Sequence, residues 1–231
     1  ALHNDLPSGS INVIVEHPDN PDVLFIGTEN SVFVSVNGGS GWTKLKANLP
    51  TTLYDDMVIH PREKDLVLGT HGRSFWVLDD TTPFVEWSQS QNNNLFLFSI
   101  RPATLFYYWK DTSYRGQEEW VGPNPPYGAL INFVVNSDAD SANITISRKK
   151  KTVREYKIAV NKGKIDQIVW DLKYSPPSFQ NNERETEGLI KPDDSQLLPR
   201  PPHGLDPEGP DVSPGTYLVT ISTDDESFSQ K

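Results

Sequence analysis

Two pairs of adjacent carboxylates, Asp55-Asp56 and Asp79-Asp80, flank a His71-Gly72-Arg73 turn, so acids, a base and a cation fall within one short stretch of chain. That set suits glycoside hydrolysis, which needs two carboxyl groups roughly 5 to 9.5 Å apart, one protonating the leaving oxygen while the other serves as base or nucleophile. Adjacent residues on a strand point to opposite faces, so neither pair supplies both groups alone. Asp79 and Asp80 are the candidate catalytic residues, each needing a partner from elsewhere. The competing account makes them turn carboxylates with Arg73 as the nearby counter-charge. His71 and Arg73 occupy a turn between two predicted strands, from which side chains either reach a ligand or complete the turn and an ion pair. A second group, Tyr107, Tyr108, Trp109, Tyr114 and Trp120, lies beside Gln117-Glu118-Glu119. Aromatic faces stack on sugar rings while amides and carboxylates hold hydroxyls, which makes Trp109 and Trp120 ligand-binding candidates. Aromatics this dense also plug seams between domains.

Other chemistries find no support. His3, His17, His60 and His203 share no metal-ligand spacing, so no metal site is expected. No Gly-x-Ser-x-Gly elbow occurs, and neither Ser8-Gly9-Ser10 nor Gly38 to Gly41 has the strand-to-helix setting of a phosphate loop. No cofactor is implied. With 231 residues and a formal charge of −10, the chain is long enough for two domains and ill suited to a phosphate backbone, which demands clustered Lys and Arg. The one basic cluster, Arg148-Lys149-Lys150-Lys151, sits where a hairpin should turn and reads as a solvated turn. The absence of cysteine excludes a disulfide framework and thiolate metal sites without deciding the compartment. No apolar run is long enough for a membrane-spanning helix.

The elements that must position these residues repeat. His17-Pro18 recurs as His60-Pro61, Gly27-Thr28 as Gly69-Thr70, and Phe33-Val34 as Trp76-Val77, at offsets of 43, 42 and 43 residues. A period near forty marks propeller blades, each a small antiparallel sheet. Runs rich in β-branched and aromatic residues predict strands at residues 11–16, 23–28, 32–36 and 42–45 in the first copy, and at 56–60, 66–70 and 74–78 in the second. Between the last two strands of the first copy runs Ser35-Val36-Asn37-Gly38-Gly39-Ser40-Gly41-Trp42, a tight turn in which Asn bonds its own backbone and glycine supplies positive φ.

That turn resembles the Asp box, Ser-x-Asp-x-Gly-x-Thr-Trp, of bacterial neuraminidase-type repeats, with Ser35, Asn37, Gly39 and Trp42 at its key positions. Asn37 replaces the Asp and Gly41 the Thr. Read with the strand Thr70-His71-Gly72-Arg73-Ser74-Phe75-Trp76-Val77-Leu78-Asp79-Asp80, residues 8–88 resemble the closing blades of Asp-box propellers of the sortilin-like and bacterial glycosyl hydrolase-like type. The resemblance implies a β-propeller, a secreted or envelope location, and partners in the form of the remaining blades on the same or a cleaved chain, since two blades cannot close a ring. The opening at Ala1, without Met and in mid-pattern, is expected to mark a processed or truncated chain.

The second half abandons the period. Strands are predicted at 95–100, 104–109, 129–135, 143–148, 152–160, 167–172 and 216–223, several alternating apolar and polar as half-buried strands do. Ile168-Val169-Trp170-Asp171-Leu172 and the later Pro214-Gly215-Thr216-Tyr217-Leu218-Val219 resemble the paired strands of an immunoglobulin-like module of secreted bacterial proteins, implying that Tyr217 fills the core. Between them, residues 173–213 are too rich in proline and charge to form a core of their own and suggest an insertion, read as an ordered arm anchored by Leu189-Ile190 and Leu197-Leu198.

The expected fold is all-β: blades over 1–90, a connecting aromatic segment over 91–127, and an immunoglobulin-like sandwich over 128–231 with an insertion at 173–214. The expected role is propeller closure with carbohydrate or protein binding, not catalysis. A glycoside hydrolase with carboxylates mostly upstream is the first alternative, and a structural subunit of an extracellular assembly the second. Were the repeat real, Gly27-Thr28 and Gly69-Thr70 would occupy equivalent places in two sheets of the same topology.

Overall fold

The computed structural model describes residues 5–46, 48–105, 125–176, 209–224 and 226–231. They are all-β, arranged as four antiparallel sheets none of which closes on itself, with two four-residue helices, α1 (Thr82–Val85) and α2 (Trp87–Ser90). Sheet 1 is the meander β1 (Ile11–His17), β2 (Asn20–Thr28), β3 (Val32–Ser35) and β4 (Thr43–Lys44), and sheet 2 is the meander β5 (Tyr54–Ile59), β6 (Leu66–Thr70) and β7 (Phe75–Leu78).

The two meanders share one register. Glu16 opposes Leu24 as Ile59 opposes Leu66, Val15 opposes Phe25 as Val58 opposes Val67, and Ile11 opposes Thr28 as Tyr54 opposes Thr70. Each first strand carries an irregularity at the same place, Asn12 in β1 and Asp55 in β5, where two residues face one. The third strands keep step too, with Ile26 opposite Phe33 and Leu68 opposite Trp76. The turns reuse their chemistry: the Thr28 hydroxyl donates to Ser31 O at 2.9 Å, and the Thr70 hydroxyl to Ser74 O.

Sheet 1 lays one face on sheet 2. Val23, Phe25, Val32 and Val34 bury themselves against Tyr54, Met57, Ile59, Leu66 and Leu68, while Trp76 and Leu78 pack at the margin. The sheets meet along β1, β2 and β5, and there Asn12 Nδ2 donates to Tyr54 O at 3.3 Å. Gly27 marks the tightest approach, for a Cβ built on it would stand 2.8 Å from Val13 Cγ1 and 3.0 Å from Tyr54 Cβ. Its equivalent Gly69 meets nothing nearer than 3.5 Å. The other face of sheet 1 gathers Leu24, Ile26, Phe33 and Trp42 under Leu6. Leu6 is matched 43 residues later by Leu49, which packs against the core between the sheets.

Sheet 3, in the order β12 (Ile165–Trp170), β9 (Ala129–Val135) and β8 (Leu95–Leu97), faces sheet 4, in the order β11 (Lys151–Ala159), β10 (Ser141–Arg148), β13 (Leu218–Ser222) and β14 (Ser227–Gln230). Their shared core runs through Ile131, Phe133, Trp170, Ile144, Ile146 and Ile221. Two departures from expectation stand out. No strand forms at Thr104 and Leu105, and the remainder of that predicted strand lies outside the described residues. The basic hairpin does turn at Lys149 and Lys150, both at positive φ, yet Arg148 is not merely solvated: it stands 5.2 Å over the Tyr217 ring and donates to Pro214 O at 3.1 Å. Tyr217 in turn meets Trp170 edge-on at 5.0 Å and packs partly buried against the core. The ends of the predicted insertion meet, Lys173 bridging Asp211, while Leu189-Ile190 and Leu197-Leu198 lie outside the described residues.

The contrast between equivalent glycines is testable. Gly27→Ala forces Val13 and Tyr54 apart and is expected to cost about 1–3 kcal/mol, whereas Gly69→Ala should be neutral or slightly stabilising, as judged by urea denaturation midpoints. Equal costs would contradict the close stacking at Gly27.

Candidate functional site

Of the carboxylates singled out in the sequence, Asp79 and Asp80 sit where the repeat sheets meet sheet 3, and Asp55 and Asp56 do not. Strand β7 ends at Leu78, so Asp79 and Asp80 lie beyond it, and strand alternation does not govern where they point. Asp80 takes φ 66°, a left-handed conformation that Asp tolerates better than most residues because its short side chain bonds locally. Its Oδ1 accepts the Thr82 N–H at 3.1 Å, a local bond of that kind. Its Oδ2 accepts from Asn132 Nδ2 on β9 at 2.9 Å, and Asn132 Oδ1 accepts from Gln167 Nε2 on β12 at 2.8 Å.

The counter-charge of Asp80 is Arg101, not Arg73. Arg101 Nε lies 3.8 Å from Asp80 Oδ1, and Nη1 donates to Asp65 Oδ1 at 3.0 Å. That same Asp65 oxygen accepts the Asp80 backbone N–H at 3.0 Å. Residues from the repeat half and from sheet 3 are thus tied through one hydrogen-bonded cluster. The Asp80 side chain is only 1% exposed, so no substrate reaches it.

Asp79 behaves differently. It is half-buried and lines a cleft of about 370 Å³ with Glu63, Asp65, Arg101, Tyr127 and Leu130. Burial pushes its pKa above the ordinary carboxylate value, Asp65 adds to the rise, Arg101 opposes it, and Asp80 contributes least. The cleft therefore makes Asp79 easier to protonate than an exposed Asp, and Asp80 brings it no accessible partner carboxylate.

The remaining candidates separate. The His71 side chain is 80% exposed, with Nδ1 3.5 Å from Asp55 Oδ2, and the His71 backbone N–H donates to Leu53 O at 2.9 Å. Arg73 is exposed, and its carbonyl accepts the Trp76 indole N–H at 3.0 Å. Asp55 and Asp56 lie within β5. Trp109 and Trp120, with Tyr107, Tyr108, Tyr114 and residues 117–119, lie outside the described residues. The Asp-box-like turn is built by its polar side chains. Gly39 N–H donates to Ser35 Oγ at 2.9 Å, Gly41 N–H to Asn37 Oδ1 at 2.8 Å, and Ser35 Oγ to Asn37 Oδ1 at 2.9 Å. Trp42 is buried beside it. Asp80 is the 43-residue equivalent of Asn37, and both turns are tied alike: Gly38 N–H donates to Asp22 O as Thr81 N–H donates to Lys64 O.

The recurrent His-Pro pairs also have a structural explanation. His17 Nδ1 accepts the Asp19 N–H at 3.1 Å, and His60 Nδ1 accepts the Glu63 N–H at 3.0 Å. That leaves the proton of neutral His17 on Nε2, which lies 3.0 Å from Thr81 Oγ1, whose hydroxyl donates to Lys64 O at 2.6 Å. Burial holds the His17 pKa below 6.5, against the upward pull of Asp19 and with help from Lys64. Sequence reasoning passed over Arg101, Asn132 and Gln167. Asn132 carried a signal, as a polar residue inside the apolar run from Leu130 to Val135.

No protein-family model matches the chain, and neither curated proteins nor solved structures give a match. Among the described residues no group of three or more His, Asp or Glu side chains gathers to hold a metal, and no helix is long and apolar enough to cross a membrane.

Two outcomes follow for the two carboxylates. Asp80→Asn keeps the left-handed backbone but removes the charge opposite Arg101, and should cost about 1–3 kcal/mol. Asp79 has a folded pKa above its unfolded one, so its ionised form is a burden that lifts as pH falls through the folded pKa. Asp79→Asn should therefore leave stability equal or higher at neutral pH, and thermal melts of both variants separate the roles.

For His17 the sign is reversed. A neutral form favoured by folding contributes fully above 6.5, and that contribution is lost as pH falls from there through the depressed folded value. Denaturation midpoints measured on either side of 6.5 should shift less in His17→Gln than in the wild type; identical shifts would rule out the role given to His17.

Proposed function

We propose that this chain supplies two blades of an Asp-box β-propeller and an immunoglobulin-like module, and that it serves stacking and binding, not catalysis. The observation that carries this reading is the shared register of sheets 1 and 2, down to the irregularities at Asn12 and Asp55. Register is set by the pattern of buried side chains, so two sheets matching from Ile11 to Glu16 and from Tyr54 to Ile59, and again across their third strands, are built to stack in the same sense. The built turn at Ser35, Asn37, Gly39 and Trp42 supports the Asp-box resemblance, and with it a secreted or envelope location. The two-layered packing of sheets 3 and 4 around Trp170, with Tyr217 against it, supports the immunoglobulin-like reading.

A hydrolytic role is disfavoured by the geometry of its best candidates. Asp80 is buried and occupied by Thr82, Asn132 and Arg101, and the other carboxylates of the Asp79 cleft, Glu63 and Asp65, are both engaged by Arg101, so no second carboxylate of the kind glycoside cleavage requires stands free beside Asp79. Ligand contact by His71 and Arg73 belongs to the same proposal, as does contact by Trp109 and Trp120, with a polysaccharide or protein as the ligand class.

Purified protein incubated with a polysaccharide panel should release no reducing ends, while affinity electrophoresis on the same panel reports binding. Hydrolysis that disappears in Asp79→Asn would overturn the non-catalytic reading.

A further inference from the structure

Seven large hydrophobic residues are exposed among those described, and five of them lie on the two outward faces of the stacked sheets: Ile11 and Ile14 on β1, Val58 on β5, and Phe75 and Val77 on β7. Their positions in the repeat are informative. Forty-three residues on from Ile11 and Ile14 stand Tyr54 and Met57, which sheet 2 buries against sheet 1. Forty-three residues before Val58, Phe75 and Val77 stand Val15, Val32 and Val34, which sheet 1 packs against sheet 2. The exposed set is therefore the two halves of an interface that the molecule already contains once, with one half left open at each end of the stack.

Gly69 strengthens the match. A glycine inside a strand weakens it and commonly marks a close backbone approach. Gly27 has such an approach, since Tyr54 of the neighbouring sheet lies on it, while Gly69 holds the equivalent place with no residue of another sheet upon it among the described residues. The linker residue Leu6 lies on the outer face of sheet 1, as its equivalent Leu49 lies between the sheets, so that outer face is already arranged like the face sheet 2 turns toward sheet 1.

We propose that the protein associates head to tail with a second copy of itself, Ile11 and Ile14 of one molecule packing over Gly69, Val58, Phe75 and Val77 of the next. The contact repeats the packing of sheet 1 on sheet 2, and it is heterologous, so each molecule keeps one free face and larger assemblies follow at higher concentration. The inference rests on the same repeat-stacking reading and names the partner that the open faces fit. One hydrogen bond differs. Where Asn12 donates to Tyr54 O between the sheets, the open face carries Asp55, whose carboxylate cannot donate to the equivalent Ile11 carbonyl and instead faces His71. Asp55→Asn restores the donor.

The test is sedimentation equilibrium of the 231-residue protein over a range of concentrations. The wild type should rise above monomer mass, and Asp55→Asn should tighten the association about three- to tenfold. Ile14→Asp and Val77→Asp each alter an exposed side chain on one face, and each alone should be monomeric with an unchanged circular dichroism spectrum. Mixed together they should form a one-to-one dimer that grows no further, because each retains the face the other lacks. A wild type that stays monomeric, an Ile14→Asp protein that still self-associates, or a mixture that fails to pair would overturn the proposal. If the wild type is monomeric while Gly27→Ala still destabilises and Gly69→Ala does not, the second copy is ruled out and the intramolecular stack stands.

Discussion

Burying the Asp80 carboxylate is the constraint on which the arrangement of the molecule turns. An ionisable group taken out of water must be met by donors, and removing one partner of such a group costs more than the pair contributes when intact. The donors come from three places in the chain: Thr82 in the turn itself, Arg101 after β8, and Asn132 on β9. Asp65, just before β6, completes the set by holding both Arg101 and the Asp80 backbone. Because these groups belong to the repeat half and to sheet 3 alike, satisfying Asp80 fixes how the two are joined.

The same residues decide what each of the two carboxylates can meet. A carboxylate that organises a junction has no face left for a substrate, and its neighbour Asp79, which lines the cleft, is pushed toward its neutral form by burial and by Asp65. Asp80 stands in for Asn37 of the first copy. The turn that closes on itself at Ser35 and Asn37 is, in the second copy, recruited to hold the next part of the chain. The anchors Gly38 to Asp22 and Thr81 to Lys64 persist, and the side chain at this position still accepts a local backbone N–H, from Gly41 at Asn37 and from Thr82 at Asp80, while Asp80 adds Asn132 and Arg101.

Stacking of the first two sheets follows a simpler rule. Each meander has an apolar row on both faces, which an isolated two-sided sheet cannot keep out of water, and the faces differ in shape: one offers Gly27 or Gly69, the other Tyr54 or Ile11. A face with a hollow fits a face with a projecting side chain, not a copy of itself. Direction is therefore built into the stack, and the polar contact from Asn12 to Tyr54 reinforces it.

The strands of both halves were legible in the order of residues, because apolar alternation and turn residues report local geometry directly. The spacing of 42 to 43 residues was legible for the same reason: His-Pro, Gly-Thr and an aromatic residue followed by Val recur because each serves a local turn or ladder that must be built twice. The strand β14 and the short helices α1 and α2 were not, since Ser227–Gln230 and Thr82–Ser90 are weakly patterned and take their shape from neighbours. Nor could the partner of Asp80 be read from the chain, where Arg73 is seven residues away and Arg101 twenty-one. Sequence determined which residues could form turns, strands and buried rows. Tertiary structure alone decided which charges meet, because desolvation and hydrogen bonding depend on distance in space, and that distance is set by how the sheets pack.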